Sequence, residues 1–150
     1  MKIGIVTIYN VPNYGAILQA YSLAEYLRRE GHEVVLFNVD SPKRHPYIYK
    51  LKRLFKLGFI DKFQQRNYPA ITSNLNEEVD IYMVGSDQVW NIEITQADYD
   101  KYFLAFALHN RKVSYAASFG NNEWDFPSKR NEIRGFLSAF KYITVREEMR

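Results

Sequence analysis

The sequence predicts an α/β fold, an open parallel sheet with helices on both faces. Three observations predict it. Short apolar, β-branched runs alternate with helix-periodic stretches along the chain. The runs are apolar at nearly every position, as strands buried on both faces must be. Loops rich in Gly, Asn, Ser and Asp follow the runs.

The elements follow in order. Ile3–Ile8 is a buried strand, and Asn10–Gly15 breaks it. From Ala16 the spacing turns helical: Ile17, Leu18, Tyr21, Leu23, Ala24 and Leu27 form an apolar stripe, while Arg28, Arg29 and Glu30 face water. Gly31 stands where a left-handed C-cap residue belongs. Glu33–Val39 is the second strand, with Asp40 just past its end. Strand, loop, helix, strand is a βαβ unit, whose crossover is right-handed.

Residues 41–66 change character. Eight basic residues (Lys43, Arg44, Lys50, Lys52, Arg53, Lys56, Lys62, Arg66) stand against one acid, Asp61, with Leu51, Leu54, Phe55, Leu57 and Phe59 between them. This predicts a basic insert of one or two amphipathic helices. Residues 73–78 read as a helix end or a loop. Val79–Val84 is the third strand, Lys112–Ala117 the fourth and Tyr142–Val145 the fifth. Asn131–Phe140 is a helix with Ile133, Phe136, Leu137 and Phe140 on one face. Arg146–Arg150 begins another helix.

At 150 residues the chain makes one domain with a substantial core. Apolar residues are 47% and charged residues 25%, ordinary for a globular protein. The 12 Tyr and 10 Phe fit a wet carbohydrate- or partner-binding surface, or a tyrosine-rich rim around the core. There is no cysteine, so disulfides, thiolate metal sites and thiol nucleophiles are excluded. A formal charge of +3 does not by itself imply nucleic acid. The start runs directly into a strand, and no stretch has the roughly 20 apolar residues of a spanning helix. The expected location is the cytoplasm. No metal-ligand spacing occurs, and no nucleophile–base pair can be assembled around His32, His45 or His109. No cofactor or metal is expected.

In an open parallel sheet, ligands bind beyond the carboxyl ends of the strands, where strand order reverses. Four loops stand there: 9–15, 85–91, 118–122 and 146–148. Each carries unusual chemistry. In the first, Asn13, Tyr14 and Gly15 lead into a helix whose N-terminus favours an anion, or Asn13 caps that helix and Gly15 relieves strain. The loop is neither G-x-G-x-x-G nor a P-loop. In the second, Gly85, Ser86, Asp87, Gln88 and Asn91 outnumber what helix capping needs, and Trp90 covers core. Asp87 and Gln88 suit the orientation of sugar hydroxyls or of arginine side chains. In the third, Ser118, Phe119 and Gly120 permit close backbone approach, with a hydroxyl for phosphate or carboxylate. In the fourth, Arg146 offers bidentate contacts to such anions, or pairs with Glu147 or Glu148.

Four segments in order, 13–16 with 18–21, 84–91, 114–120 and 145–147, resemble the polysaccharide pyruvyl transferases. The resemblance spans essentially the whole chain. It implies a Rossmann-like domain similar to the N-terminal half of a two-domain, GT-B-type transferase. It also implies transfer of the pyruvyl unit of phosphoenolpyruvate to two hydroxyls of a cell-surface or lipid-linked glycan, giving a cyclic ketal. By resemblance, Asp87 is the candidate catalytic group. Asn13, Tyr14, Gly15, Gln19, Gly85, Ser86, Gln88, Asn91, Ser118, Phe119, Gly120, Arg146 and Glu147 are the candidate substrate-binding residues. Thr144 stands where the family has Ser. The family's chains are longer, so residues 1–150 correspond to one domain, a second half that supplies a histidine is absent, and this half alone should not turn over. A nucleotide-sugar glycosyltransferase is the alternative, with Asp40 as the ribose-binding acid. A glycan- or membrane-associated binding module is another, with the basic stretch 43–66 lying on anionic lipid or forming a solvated helical face. Nucleic-acid binding lacks a surrounding module.

Overall fold

The computed structural model describes residues 1–11, 13–40, 58–120 and 126–146. Its elements run β1 (Lys2–Val6), α1 (Tyr14–Arg29), β2 (Glu33–Phe37), α2 (58–67), β3 (Ala70–Thr72), β4 (Ile81–Gly85), α3 (Ile92–Thr95), α4 (Tyr99–Tyr102), β5 (Lys112–Tyr115), α5 (Arg130–Ser138) and β6 (Phe140–Tyr142). The six strands form one sheet in the order β3-β2-β1-β4-β5-β6. Every described pairing is parallel. This is the Rossmann order, which reverses direction between β1 and β4.

Alternation along β1 builds two cores. Ile3 and Ile5 join Val34 and Leu36 of β2 under Ala20, Leu23, Ala24 and Leu27 of α1. Val6 faces the other way, with Val35, Phe37, Tyr82 and Val84, against Trp90, Phe103 and Ile133. Helices therefore cover both faces, as the apolar runs predict.

Trp90 is the pillar of the second core and is 1% exposed. Its ring stacks on Phe103 at 5.5 Å with planes 4° apart, tilts against Phe119 at 5.2 Å and meets Phe140 edge-on at 6.0 Å. Its indole N–H donates to the Tyr102 carbonyl at 3.2 Å, so the one polar atom of the side chain is satisfied.

Several boundaries differ from the sequence expectation. The helix begins at Tyr14, not Ala16, because Asn13 caps it. The strand expected to reach Ala117 stops at Tyr115, since Ala116 takes φ +48° and leaves the pleat. The last strand is Phe140–Tyr142, earlier than expected, and Val145 returns as an isolated parallel bridge to Ala117. The sheet holds a strand the reading did not place: β3 is three residues at an edge, with Ala70 and Ile71 exposed, too short and too wet to show a buried pattern. Residues 73–78 are loop, and two short helices occupy 92–102. Of the basic insert, 41–57 lie outside the described residues, and 58–67 are helical as expected. Among the described residues, no helix is long and apolar enough to cross a membrane.

Trp90→Ala should lower the unfolding free energy by about 3–5 kcal/mol, the usual range for emptying a buried aromatic site. Urea denaturation followed by far-ultraviolet circular dichroism measures it. A loss below about 1 kcal/mol would show that the pillar is not what the second core packs around.

Candidate functional site

The chain leaves β1 towards β2 on one side and leaves β4 towards β5 on the other, so the two adjacent loops part and open a crevice at the carboxyl edge. One side chain spans it. Gln19, one turn into α1, donates from Nε2 to the buried Thr7 hydroxyl at 2.9 Å, to the Ile8 carbonyl at 3.0 Å and to the Ala16 carbonyl at 3.0 Å. Its Oε1 accepts from the Ser86 hydroxyl at 2.9 Å. The end of β1, the start of α1 and the loop after β4 are thus joined through one amide.

Asn13 occupies the N-terminus of α1 itself. Its side-chain oxygen accepts from Gly15 N at 2.8 Å and Ala16 N at 3.4 Å, and its carbonyl accepts from Ile17 N at 3.1 Å. Of the two sequence alternatives for this loop, the structure displays the cap: most of the first-turn N–H groups are spent within the helix.

The loop after β4 is stitched to the loop after β5. Ser118 N donates to the Asp87 carbonyl at 3.1 Å, and Trp90 N donates to the Ser118 carbonyl at 3.1 Å. The stitching continues outward, with Arg146 N donating to the Ala117 carbonyl at 3.1 Å. Thr144 locks the same edge: its hydroxyl donates to the Ser114 carbonyl at 3.0 Å and accepts from Ala116 N at 2.9 Å, while the Ser114 hydroxyl donates to the Thr144 carbonyl at 2.9 Å.

Two glycines permit this closeness. Gly85 takes φ +132°, and a Cβ there would overlap the Tyr115 carbonyl oxygen. Gly120 takes φ +79°, and its Cβ would lie 2.7 Å from Gln88 Oε1 and 2.8 Å from Asn91 Nδ2. The Gln88 and Asn91 amides meet at 3.4 Å. Asn91 also caps α3, accepting from Glu93 N at 3.0 Å.

Among the described residues, the polar groups left towards the crevice are few. Asp87 is half-buried, and Oδ1 accepts from Gln88 N at 2.8 Å. Ser86 is half-buried beside it. Tyr14 is 55% exposed at the head of α1. On the far side, the exposed Arg146 guanidinium donates from Nη2 to Ser118 Oγ at 3.4 Å. Ser118 is fully buried and also accepts from Gly120 N at 2.9 Å, so its hydroxyl aims the arginine and shapes the loop. Among the described residues, no three His, Asp or Glu side chains could hold a metal ion.

The family model described as polysaccharide pyruvyl transferase matches residues 13–149. The chain belongs to the polysaccharide pyruvyl transferase family. No curated protein and no solved structure matches it. Membership makes the chain part of a transferase family whose acceptor is a glycan.

Of the residues the family resemblance singles out, Gln19, Gly85, Ser86, Asp87, Gln88, Asn91, Ser118, Gly120 and Arg146 are joined at one sheet edge by the bonds just described. Phe119 packs on Trp90 and belongs to the core wall. Glu147 lies outside the described residues. Sequence reasoning missed Thr7, whose signal was only a hydroxyl amid an apolar run. It also missed the mutual Ser114–Thr144 lock, which explains why a hydroxyl is needed at position 144.

It missed Tyr9 too. This ring is 7% exposed, lies edge-on to Tyr68 at 5.8 Å, and has its carbonyl held by Gln64 Nε2 at 3.1 Å. Burial raises the Tyr9 phenol above its ordinary range, and the Asp40 charge and Tyr68 add to the rise. Asp40 itself accepts from the Tyr102 phenol at 2.8 Å.

Gly120→Ala should push the Gln88 and Asn91 amides aside and cost about 1–3 kcal/mol in urea denaturation, because both the dihedral and the space are wrong for a side chain. A neutral result would mean that the loops are not packed this tightly. Tyr9 also sets a pH dependence. Its folded pKa lies above its unfolded one, so its contribution is complete below about pH 10 and is lost as pH rises towards the folded value. Unfolding midpoints should fall above about pH 10, and Tyr9→Phe should flatten that fall. An unchanged slope in the variant would remove Tyr9 as its source.

Proposed function

We propose that this chain is the N-terminal, Rossmann-like domain of a cytoplasmic, GT-B-type transferase that moves the pyruvyl unit of phosphoenolpyruvate onto two hydroxyls of a glycan sugar as a cyclic ketal. The observation that carries the proposal is the pairing, across one sheet edge, of hydroxyl-reading groups with a cation. Ser86 and Asp87 stand at the crevice, and Arg146 stands two loops away, aimed by Ser118.

The chemistry asks for both kinds of group. Each sugar hydroxyl must lose a proton as its oxygen attacks the central carbon of the donor, the methylene carbon must gain a proton, and inorganic phosphate must leave. A carboxylate within hydrogen-bond reach orients an attacking hydroxyl and can take its proton. Asp87 is our candidate: one oxygen holds its own loop through Gln88 N, and the other has no described partner. The donor carries a carboxylate and a phosphate, which an arginine binds in planar, bidentate fashion. The phosphate-side groups and a proton donor for the methylene carbon come, in this proposal, from a second domain. This domain alone therefore binds ligand without turning it over.

A nucleotide-sugar donor fits less well, because Asp40, the acid expected to hold a ribose, accepts from Tyr102. Peripheral membrane contact through 43–66 would suit a lipid-linked acceptor, though most of that stretch lies outside the described residues.

In the enzyme with both domains, Asp87→Asn should reduce phosphate release from phosphoenolpyruvate, in the presence of a glycan acceptor, by about 10²-fold or more. Unchanged release removes Asp87 from the chemistry. Isothermal titration of this chain with phosphoenolpyruvate and with a uridine diphosphate sugar tests the donor: binding of the nucleotide sugar alone would replace the proposal with the glycosyltransferase reading.

A further inference from the structure

The polarity of the Ser86 hydroxyl can be assigned from its surroundings. An amide presents donors at nitrogen and acceptors at oxygen. Two of the three groups around Gln19 Nε2 are backbone carbonyls, those of Ile8 and Ala16, which only accept. The amide nitrogen must therefore face them, and Oε1 must face Ser86 at 2.9 Å. A carbonyl oxygen cannot donate, so the hydrogen of that bond belongs to Ser86. The hydroxyl's only donor is spent on the protein, and lone pairs alone remain for a ligand.

Asp87 adds to the same polarity. Its carboxylate stands next in the chain, half-buried, with one oxygen accepting from Gln88 N. Two neighbouring groups at the crevice thus offer acceptors. A phosphate or carboxylate placed there would meet lone pairs and a negative charge, whereas a sugar hydroxyl would meet partners it can donate to. Asn13 weakens the helix's attraction for an anion, because it caps the Gly15 and Ala16 N–H groups of α1.

From this geometry we infer that Ser86 is a substrate-binding residue that accepts a hydrogen bond from a sugar hydroxyl, and that the crevice between the β1 and β4 loops is the acceptor subsite. The anion-binding side is then the outer part of the edge, where Arg146 stands. The inference rests on the function proposed above and deepens it, by dividing the edge into a hydroxyl-reading half and an anion-binding half. Gln19 acts as a positioning residue, since it holds the Ser86 hydrogen away from the ligand.

Saturation-transfer difference NMR on this chain tests the division, with methyl β-D-galactopyranoside and methyl β-D-glucopyranoside as hydroxyl probes and phosphoenolpyruvate as the anion probe. Ser86→Ala should weaken binding of the preferred glycoside about fivefold to tenfold, the effect of one lost hydrogen bond, and leave phosphoenolpyruvate within about twofold of wild type. Ser86→Thr, which keeps the hydroxyl, should restore glycoside binding. Weakening of phosphoenolpyruvate instead, or of both probes in equal proportion, overturns the assignment while leaving the proposed reaction standing. A wild-type chain that binds phosphoenolpyruvate but neither glycoside also overturns it. Binding of no probe at all overturns both the assignment and the reading it rests on.

Discussion

The Gln19 amide sits where two loops that leave the sheet in opposite directions must be held at a fixed separation. A reversal of strand order opens a crevice but does nothing to define its width. Here one half-buried amide sets it: Nε2 is anchored on the β1–α1 side by Thr7, Ile8 and Ala16, and Oε1 accepts across the crevice from Ser86. Each bond costs little to make and more to leave unmade, because Thr7 is buried. The amide therefore fixes geometry and also fixes which way the Ser86 hydrogen points.

Beyond the crevice the carboxyl edge is held by backbone bonds as well as by side chains. The Asp87–Ser118–Trp90 exchange and the Arg146–Ala117 bond extend the sheet's own pairing into its loops. That extension needs chain segments closer than side chains allow, which is why glycines stand at 85 and 120. Behind the edge, Trp90 binds the same loop into the core through Phe103, Phe119 and Phe140. A site built this way places the Asp87 carboxylate and the Arg146 guanidinium through the loops that carry them.

The fold class was legible because apolar runs and helical stripes report burial directly, and residues such as Ile3–Val6 and Leu23–Leu27 have no other use. The edge strand β3 was not legible, since its Ala70 and Ile71 face water and carry no burial signal. The exact ends of β5 and β6 were hidden because Ala116 departs from the pleat under a constraint from Thr144, 28 positions away in the chain but adjacent in space. The site was legible as four chemically dense loops; among the described residues, 85–91, 118–120 and Arg146 are joined by hydrogen bonds, and Gln19 of α1 ties in Ser86. What the sequence left open was the division of labour: Asn13 as cap rather than anion cradle, Gln19 as brace and Ser118 as a buried aim for Arg146 all depend on hydrogen-bond partners distant in the chain.

Gln19 and Ser86 act as one unit across the crevice. A double-mutant cycle with Gln19→Ala, Ser86→Ala and the double variant, read by urea denaturation, measures it most directly. A coupling of about 1 kcal/mol is expected, because the second substitution has no bond left to remove once the first is made. Losses that add within about 0.3 kcal/mol would contradict it, and would leave the two loops merely adjacent.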